Sequence, residues 1–296
     1  MSPIDYLQFV LAPQILNGLT LGVAVVLVAL GLTIIFGMLD VINMSHGEFY
    51  AVGAYAALAL GAAGIGFWFL LVLVPILMIP LGMVAERLLI RPVFDSKDRH
   101  VTTLLVTFGL GLIVEDLLKV IFGANTQRPP TPIPGATEWF GILVPNYRLF
   151  LLAAGAVIIG GVAFVVYRTR LGAMVRAAAF DRHMAASLGV PVSIVYAGTF
   201  AFGIALAGLA GVLLAPIYSV FPTMGRDFIL LAFSVVIVGG MGSIWGCVFA
   251  GLLLTQVQAL ASLVISPIWT DPIVFGTMVV FLMVRPQGLF GRLGHA

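Results

Sequence analysis

Charged residues are scarce in this chain of 296 residues, at 9% of the composition against 61% hydrophobic residues. Soluble domains average about 25% charged residues, so a soluble globular fold is excluded. Outer-membrane barrels show short segments of alternating polar and apolar residues, and that alternation is missing here. Uncharged runs reach membrane-spanning length several times over. The sequence therefore predicts an all-α polytopic membrane protein, with residues 1–296 forming a single transmembrane domain.

Cysteine and lysine are almost missing. Cys247 is the only cysteine, which excludes disulfide frameworks and thiolate metal sites. Neither Lys97 nor Lys119, the only lysines, completes a GxxxxGK[ST] pattern, so the chain cannot itself be a P-loop ATPase. His46 is the only histidine in the predicted membrane region, and a lone histidine indicates no metal site. We expect no catalytic residue, metal or cofactor in this chain.

Basic residues are missing from the first third of the chain. No lysine or arginine precedes Arg87, and the basic residues then concentrate in residues 86–100, in residues 168–190 and in the C-terminal tail. By the positive-inside tendency, these three regions are cytoplasmic. The N-terminus has neither a basic n-region nor a small-residue cleavage site, so the first apolar segment is retained as a span.

Uncharged segments separated by polar or glycine-rich breaks predict the spans. Because these three regions are all cytoplasmic, the chain must cross the membrane an even number of times between one and the next. This count gives nine spans and an external N-terminus, or eight spans if a segment is re-entrant. Residues 86–100 form a cytoplasmic loop, and the proline-rich residues 123–147 form an external loop whose contact with an extracytoplasmic partner stays open. The predicted spans are residues 12–36, two within 49–85 divided at 61–66, 101–122, 148–167, 192–216, two short helices within 228–263 and 273–284.

Residues 168–190 are the one long stretch that cannot lie in hydrocarbon. Each of its four arginines would cost about 3 kcal/mol at the bilayer centre. Strong helix formers fill residues 171–188, and Gly189 followed by Pro191 is a helix stop signal. The sequence therefore predicts a short cytoplasmic helix here. The four arginines are Arg168, Arg170, Arg176 and Arg182.

One face of this predicted helix combines charge with an aromatic side chain. Docking into another protein is favoured over lying in a lipid interface, because the alanines of this helix supply little apolar area to insert. A solvated helix without a partner is the alternative. At 100° per residue, the face consists of Arg176, Phe180, His183 and Ser187.

Two glycine-interrupted polar breaks lie in the two halves of the chain, at residues 37–47 and 239–246. Paired breaks point to the substrate route in transporters built from related halves, although glycine-rich turns between spans look similar. The polar residues of the first break either satisfy backbone groups freed by the break or line a polar passage. The candidate passage residues are Asn43, Ser45, His46, Gly47, Gly239, Gly240 and Gly242.

Small residues recur every fourth position in two predicted spans, which predicts close packing of helix backbones there. The two stripes are Gly53, Ala57 and Gly61, and Gly203, Ala207 and Gly211.

Carboxylates are few in the predicted spans. Glu115 and Lys119, four residues apart near the outer end of one span, are predicted to pair on one helix face at the interface, with a buried proton relay as the alternative. A secondary transporter usually carries ion-binding or proton-relay groups in mid-span. Their near absence indicates that a separate subunit supplies the energy.

Three stretches of the chain together resemble one family. They are GLTIIFGMLDVINMSHGEFYAVGAYAA at 31–57, VRAAAFDRHMAASLGVPVSIVYAGTFAFGIALAGLAGVL at 175–213 and GGMGSIWGCVFAGLLL at 239–254. In that order they resemble the signature, the coupling region and the late glycine motif of LivH-type permeases of branched-chain amino acid ABC transporters. The resemblance covers nearly the whole chain.

The resemblance implies a multi-pass subunit of the bacterial inner membrane, in contact with membrane lipid, with a cytoplasmic C-terminus and no nucleic-acid partner. It implies four kinds of partner or ligand elsewhere: a second, LivM-like permease, two ATP-binding cassette subunits, the ATP that they bind, and an extracytoplasmic substrate-binding protein. Branched-chain amino acids are the leading substrates. Urea, short amides, aromatic acids or sugars are alternatives, as is a self-sufficient channel or secondary transporter.

In such importers a cytoplasmic helix fits a groove on the ATPase, and AASLG at 185–189 stands where the family's coupling loop is expected. His183 replaces the acid that usually follows the Asp–Arg pair. The residues expected to couple to the ATPase are Arg176, Phe180, Asp181, Arg182, Ala185, Ala186 and Gly189.

Overall fold

The computed structural model describes residues 3–94, 96–139 and 141–291, and helix dominates them. A two-stranded antiparallel hairpin is the only sheet in these ranges. The elements are α1 (Pro3–Tyr6), α2 (Ala12–Leu39), α3 (His46–Ala62), α4 (Phe67–Ala85), α5 (Arg99–Phe122), β1 (Ala136–Trp139), β2 (Ile142–Pro145), α6 (Asn146–Arg168), α7 (Arg170–Phe180), α8 (Arg182–Ser187), α9 (Val192–Tyr218), α10 (Met224–Gly239), α11 (Ile244–Ala261) and α12 (Thr270–Val284).

The all-helical polytopic architecture expected from composition is confirmed. Helices divide where the glycine-rich breaks predicted it, between α3 and α4 and between α10 and α11. Within the described ranges, five helical segments are long and apolar enough to cross a membrane, and the shorter α12 is also apolar. The five segments are Leu7–Leu39, Phe67–Val93, Asn146–Arg168, Val192–Tyr218 and Ile244–Ala261.

The region predicted as a loop at residues 86–100 is instead helical in its first half. A π-helical turn, Glu86–Ile90, and a 3₁₀ turn, Arg91–Val93, extend α4. The Arg91 guanidinium donates to both carboxylate oxygens of Glu86 at 3.3 Å, and a spacing of five residues brings such a pair together on a π-turn. The loop prediction was wrong there because it treated the charges as solvated.

Helices α2 and α9 form the centre of the bundle. In the most apolar 18 residues of each, 83% are buried, against 22% for the segments that contain α4 and α6. Helix α2 packs along α9 and α11, and α9 packs along α3 and α4. An apolar helix that is exposed on most of its surface is typical of a membrane span, so the exposed surfaces of α4 and α6 are suited to contact with lipid or with another membrane protein.

Glycines allow α3 and α9 to approach backbone to backbone. A β-carbon on Gly53 would collide with the backbone of Gly208, and one on Gly211 would collide with the Tyr50 carbonyl. Gly203 likewise faces Ile35 of α2. The small-residue stripes therefore predicted true contacts, with one exception: Gly61 meets only a leucine side chain at 3.9 Å.

The three basic regions lie together at one end of the bundle, called here the basic end. The proline-rich segment lies at the other end, where Gln127 and Val220 form a β-bridge and Arg148 contacts Asn17. Three contacts join the basic end: Arg99 to Asp40 (2.6 Å), Leu289 to Val238 (2.8 Å) and the Arg182 guanidinium to the Phe94 ring (5.6 Å).

We expect Gly53→Ala to lower the free energy of unfolding by about 1–3 kcal/mol, because the added methyl group overpacks a backbone contact. Gly160 of α6 is the matched control, since a β-carbon there meets nothing within 4 Å. Gly160→Ala should be neutral or stabilise the helix by up to about 1 kcal/mol. Thermal unfolding of both variants in the same detergent measures the difference. Equal midpoints would contradict the α3–α9 backbone contact.

Candidate functional site

The polar break after α2 turns back into the bundle. Helix α2 ends at Leu39, and Asp40 adopts a left-handed conformation (φ 53°) that carries the chain out of the helix. Residues 40–45, called here the re-entrant segment, lead to α3, whose first residue is His46. The His46 Nε2 atom lies 3.0 Å from the Val28 carbonyl. At 1.5 Å per residue, Val28 is about 17 Å from the end of α2, so α3 begins at mid-depth.

Polar side chains of the re-entrant segment and of α5 form hydrogen bonds inside the bundle. Asn43, Ser45 and His46 are completely buried. The Ser45 hydroxyl donates to Asn43 Oδ1 at 2.7 Å. Thr107 of α5 reaches across: its hydroxyl accepts from the Met44 N–H at 3.0 Å and lies 3.2 Å from the Ile42 carbonyl. Thr107, which sequence reasoning missed, is thus the side chain that bonds the backbone here, whereas Asn43 and Ser45 bond to each other.

Several buried polar atoms near the start of α3 remain without a hydrogen-bond partner among the described residues. Buried polar groups are usually paired, and unpaired ones number only a few per 100 residues. Here four occur within eight consecutive residues, which is an unusual concentration. They are Asn43 Nδ2, His46 Nδ1, Glu48 Oε2 and the Tyr50 hydroxyl.

The second break is a tight turn at the basic end. Gly240 and Gly242 have φ values of 95° and 85°, which side chains other than glycine rarely adopt. Gly239 is backed by the C-terminal segment, since the Phe290 N–H donates to its carbonyl at 3.1 Å. A contact between Gly37 and Gly242 joins this turn to the end of α2.

The predicted passage residues therefore divide into two groups. Asn43, Ser45, His46 and Gly47 lie at mid-depth, and Gly47 packs against Gly225 at the start of α10 rather than against the second break. The glycines at 239–242 lie at the basic end. The two groups lie at different depths along the bundle.

An acid–base cluster with two buried acids consists of Glu48, Glu115, Lys119 and Arg226. The predicted pair is formed, with Lys119 Nζ donating to Glu115 Oε1 at 2.6 Å. Glu115 is only 5% exposed, however, so it is a buried acid rather than an interfacial one. Arg226 Nη1 lies 3.8 Å from Glu115 Oε2, and Glu48 lies against Gly225. Sequence reasoning missed this convergence because α3, α5 and α10 are distant along the chain.

The segment at 168–190 is two helices, so the prediction of one continuous helix was wrong. Asp181 is extended (φ −151°, ψ 109°) between α7 and α8. Its Oδ1 atom accepts from the N–H groups of His183 and Met184 at 2.8 and 2.9 Å. An aspartate that caps a helix start is more favourable than one in a helix interior. The break also separates the residues predicted to share one face, leaving Arg176 and Phe180 on α7.

Large apolar side chains of this segment are exposed next to its arginines. Phe180 is 81% exposed and Leu188 is 78% exposed, whereas Ala185 is buried. Arg176 donates to the Val166 carbonyl and so ties α7 to α6. Arg182 and Ala186 are exposed, and Gly189 (φ 85°) ends the segment as predicted. Exposed apolar groups concentrated at one end of a molecule mark a contact with a protein or with a membrane.

These apolar helices and the buried re-entrant segment define the class of the protein as a polytopic membrane protein. Residues 14–283 match the family model described as "Branched-chain amino acid transport system / permease component". The chain belongs to this family of transport permeases, and the resemblance seen in the sequence motifs is confirmed.

Named proteins that are similar in sequence to this chain are permeases of the same family. The chain is 31% identical over 294 residues to the high-affinity branched-chain amino acid transport system permease protein LivH of Salmonella typhimurium, covering 94% of this chain and 95% of LivH. The BraD permease protein of Pseudomonas aeruginosa is 30% identical with the same coverage. LivM of Salmonella typhimurium is 28% identical, covering 91% of this chain and 68% of LivM. LivH and LivM are two permeases named for one kind of transport system.

We expect Asp181→Ala to speed amide hydrogen exchange across α8, because two N–H groups lose their acceptor. Asp98 is the matched control: it stands at the start of α5 without a side-chain cap hydrogen bond, so Asp98→Ala should leave exchange in α5 unchanged. Equal rates in α8 of wild type and Asp181→Ala would contradict the cap.

Acid should weaken the same cap. The N–H groups of Met184 and His183 hold the pKa of Asp181 below its ordinary value. A carboxyl with a lowered folded-state pKa stabilises the fold above the ordinary aspartate pKa of about 3.9 and loses that effect as pH falls below it. Exchange protection of α8 should therefore persist from pH 7 to about pH 4 and fall below that range.

Proposed function

We propose that this chain is a transmembrane permease subunit of an ATP-driven importer of branched-chain amino acids, and that it forms the substrate passage with a second, LivM-like permease. The observation that carries the proposal is the family match over residues 14–283, together with coverage of nearly all of LivH. Transport rather than catalysis is its role, and residues 1–296 act as one permease domain.

Energy comes from two ATP-binding cassette subunits that bind ATP outside this chain. The coupling segment at 168–190 supports this, since it exposes Phe180 and Leu188 in a position to enter a groove. The contact is made by the residues expected from the family resemblance, with Ala185 supporting α8 from beneath. The contacting residues, all exposed, are Arg176, Phe180, Asp181, Arg182, Ala186 and Gly189.

The contacts of α7 provide a route by which movement of the ATPase reaches the passage. The α6–α7 corner is closed by Arg176 on the Val166 carbonyl and by Thr169 Oγ1, which accepts from the Gly172 N–H at 3.1 Å. Helix α6 in turn packs against α2, where Gly155 meets Val23. A displaced coupling segment therefore pulls on α2 and on the re-entrant segment that follows it.

The basic end is cytoplasmic, which places the C-terminus inside and the proline-rich loop outside, at a bacterial inner membrane. Eight helices cross in alternating directions, and α3, starting at mid-depth, is the ninth and partial span. The loop at residues 123–147 faces the extracytoplasmic binding protein. Its hairpin supports a defined surface there, since Ala136 pairs with Pro145 and Trp139 with Ile142.

The substrate passes beside the start of α3. Asn43, Ser45, His46 and Gly47 supply polar atoms at mid-depth, and the unpaired ones can hydrogen-bond a solute in transit. The glycine turn comprising Gly239, Gly240 and Gly242 lies at the cytoplasmic exit, where its contact with Gly37 lets α2 and α10 move together.

Uptake by proteoliposomes tests the function. The liposomes contain this chain, its LivM-like partner and the ATPase subunits. Binding protein loaded with labelled leucine is then added to them. We expect leucine uptake that requires ATP and the loaded binding protein, with ATP hydrolysis stimulated by that protein. Liposomes lacking only this chain are the control. Uptake by this chain alone without ATP would contradict the proposal and favour a secondary transporter that uses Glu48 and Glu115.

Phe180→Ala should weaken association with the ATPase by about ten-fold or more, because exposed aromatic anchors at interfaces contribute about 2 kcal/mol or more. The measurement is the fraction of ATPase subunit retained by the immobilised permease pair in a dilution series. Leu143 of the external hairpin is the control, as it is apolar and 71% exposed at the opposite end. If Phe180→Ala and Leu143→Ala retain the ATPase equally, the docking assignment is wrong.

A further inference from the structure

The acid–base cluster lies where α3, α5 and α10 converge, and its acids are deeply buried. Glu48 and Glu115 are each 5% exposed. A β-carbon on Gly225 would lie 2.6 Å from the Glu48 carboxyl carbon, so this carboxylate packs directly on the start of α10. The next residue, Arg226, reaches Glu115 at 3.8 Å. Glu115 is about 10 Å inside the outer end of α5, at 1.5 Å per residue.

Carboxyl groups outnumber cationic groups at this cluster. Asp116 and Asp227 lie beside it, so four carboxylates face the cations Lys119 and Arg226. Glu115 has both cations as partners. Glu48 Oε2 is buried and has no hydrogen-bond partner among the described residues. An unpaired carboxylate at this depth is costly, and a cationic group that enters the cluster removes that cost.

A second buried carboxylate in the same bundle shows the contrast. Glu86 is 2% exposed at the basic end, and both its carboxylate oxygens accept from Arg91 at 3.3 Å. Glu86 thus has its cationic partner within the chain. Glu48 lacks such a partner although Arg226 is near, because that arginine points to Glu115 instead.

The cluster also offers positive charge and apolar surface. Arg226 is 57% exposed and Lys119 is 38% exposed, so both can reach an anionic group that arrives from outside the chain. Leu112 of α5, one turn before the acids, and Leu230 of α10, one turn after Arg226, are 45% and 49% exposed. One ligand that carries an ammonium, a carboxylate and an aliphatic group matches all three features.

We propose that this cluster is a binding site for zwitterionic aliphatic amino acids on the permease itself. Glu48 and Glu115 receive the ammonium group, Arg226 and Lys119 receive the carboxylate, and the aliphatic side chain lies against Leu112 and Leu230. The site lies in the outer half of the bundle, where substrate arrives after release from the binding protein. This inference rests on the proposed function and adds to it a place and a chemistry of recognition within this chain.

Direct binding to the assembled importer, purified without binding protein, tests the site. Labelled leucine is the probe, measured by scintillation proximity. Two competitors separate the charges: 4-methylpentanoate lacks the ammonium, and leucinamide lacks the carboxylate. Wild type should prefer leucine over each competitor by about ten-fold or more, since one charge-assisted contact is lost in each case.

Neutral variants should change this preference in opposite ways. Glu48→Gln should weaken leucine binding by about ten-fold and remove the preference over 4-methylpentanoate, while preserving the preference over leucinamide. Arg226→Gln should remove the preference over leucinamide and preserve the preference over 4-methylpentanoate. Because Arg226 is largely exposed, this variant tests the site even if Glu48→Gln does not assemble. Glu86→Gln is the matched buried control and should bind as wild type does.

Two results would overturn the site. The first is a Glu48→Gln or Arg226→Gln complex that discriminates between the competitors as wild type does. The second is a wild-type complex that imports leucine with its binding protein yet binds no leucine by itself. Failure of the proposed function is a different result, because the wild-type complex then imports no leucine in proteoliposomes at all.

Discussion

Backbone polar groups released inside a bilayer must find partners within the protein, and the re-entrant segment depends on this constraint. Hydrocarbon holds no water to bond a free N–H or C=O group. The chain leaves α2 at Asp40 and enters the bundle again as non-helical backbone, where the Thr107 hydroxyl of α5 is a partner for the Met44 N–H and the Ser45 hydroxyl bonds the Asn43 side chain. The start of α3 at mid-depth follows from that solution.

Close backbone packing holds α3 in this position. Gly53 on Gly208 and Gly47 on Gly225 bring α3 against α9 and α10 without intervening side chains. Apolar side chains gain nothing by leaving lipid for a helix contact, so close van der Waals packing of small residues provides the stabilisation instead. The same approach brings the Glu48 carboxylate to the start of α10. The glycine contacts that pack α3 therefore also determine where the Glu48 carboxyl group lies.

The segment at 168–190 follows another constraint, which is that the free N–H groups at the start of a helix need hydrogen-bond acceptors. Asp181 stops α7 and begins α8 because its carboxylate serves two N–H groups at once. The resulting corner turns Phe180 outward while Ala185 stays buried. Contacts from α7 through α6 to α2 join this exposed corner to the interior of the bundle.

Local chemistry was enough to determine the helical class, the positions of most helix breaks, the small-residue stripes and the Glu115–Lys119 pair. Hydrophobic length, glycine and charge act within a few residues of one another, and the motifs of 31–57, 175–213 and 239–254 were specific enough to indicate the family. The depth at which α3 begins and the meeting of Glu48, Glu115 and Arg226 were decided only by the tertiary structure. Each depends on contacts between helices that are distant along the chain, and no local pattern encodes which helices become neighbours.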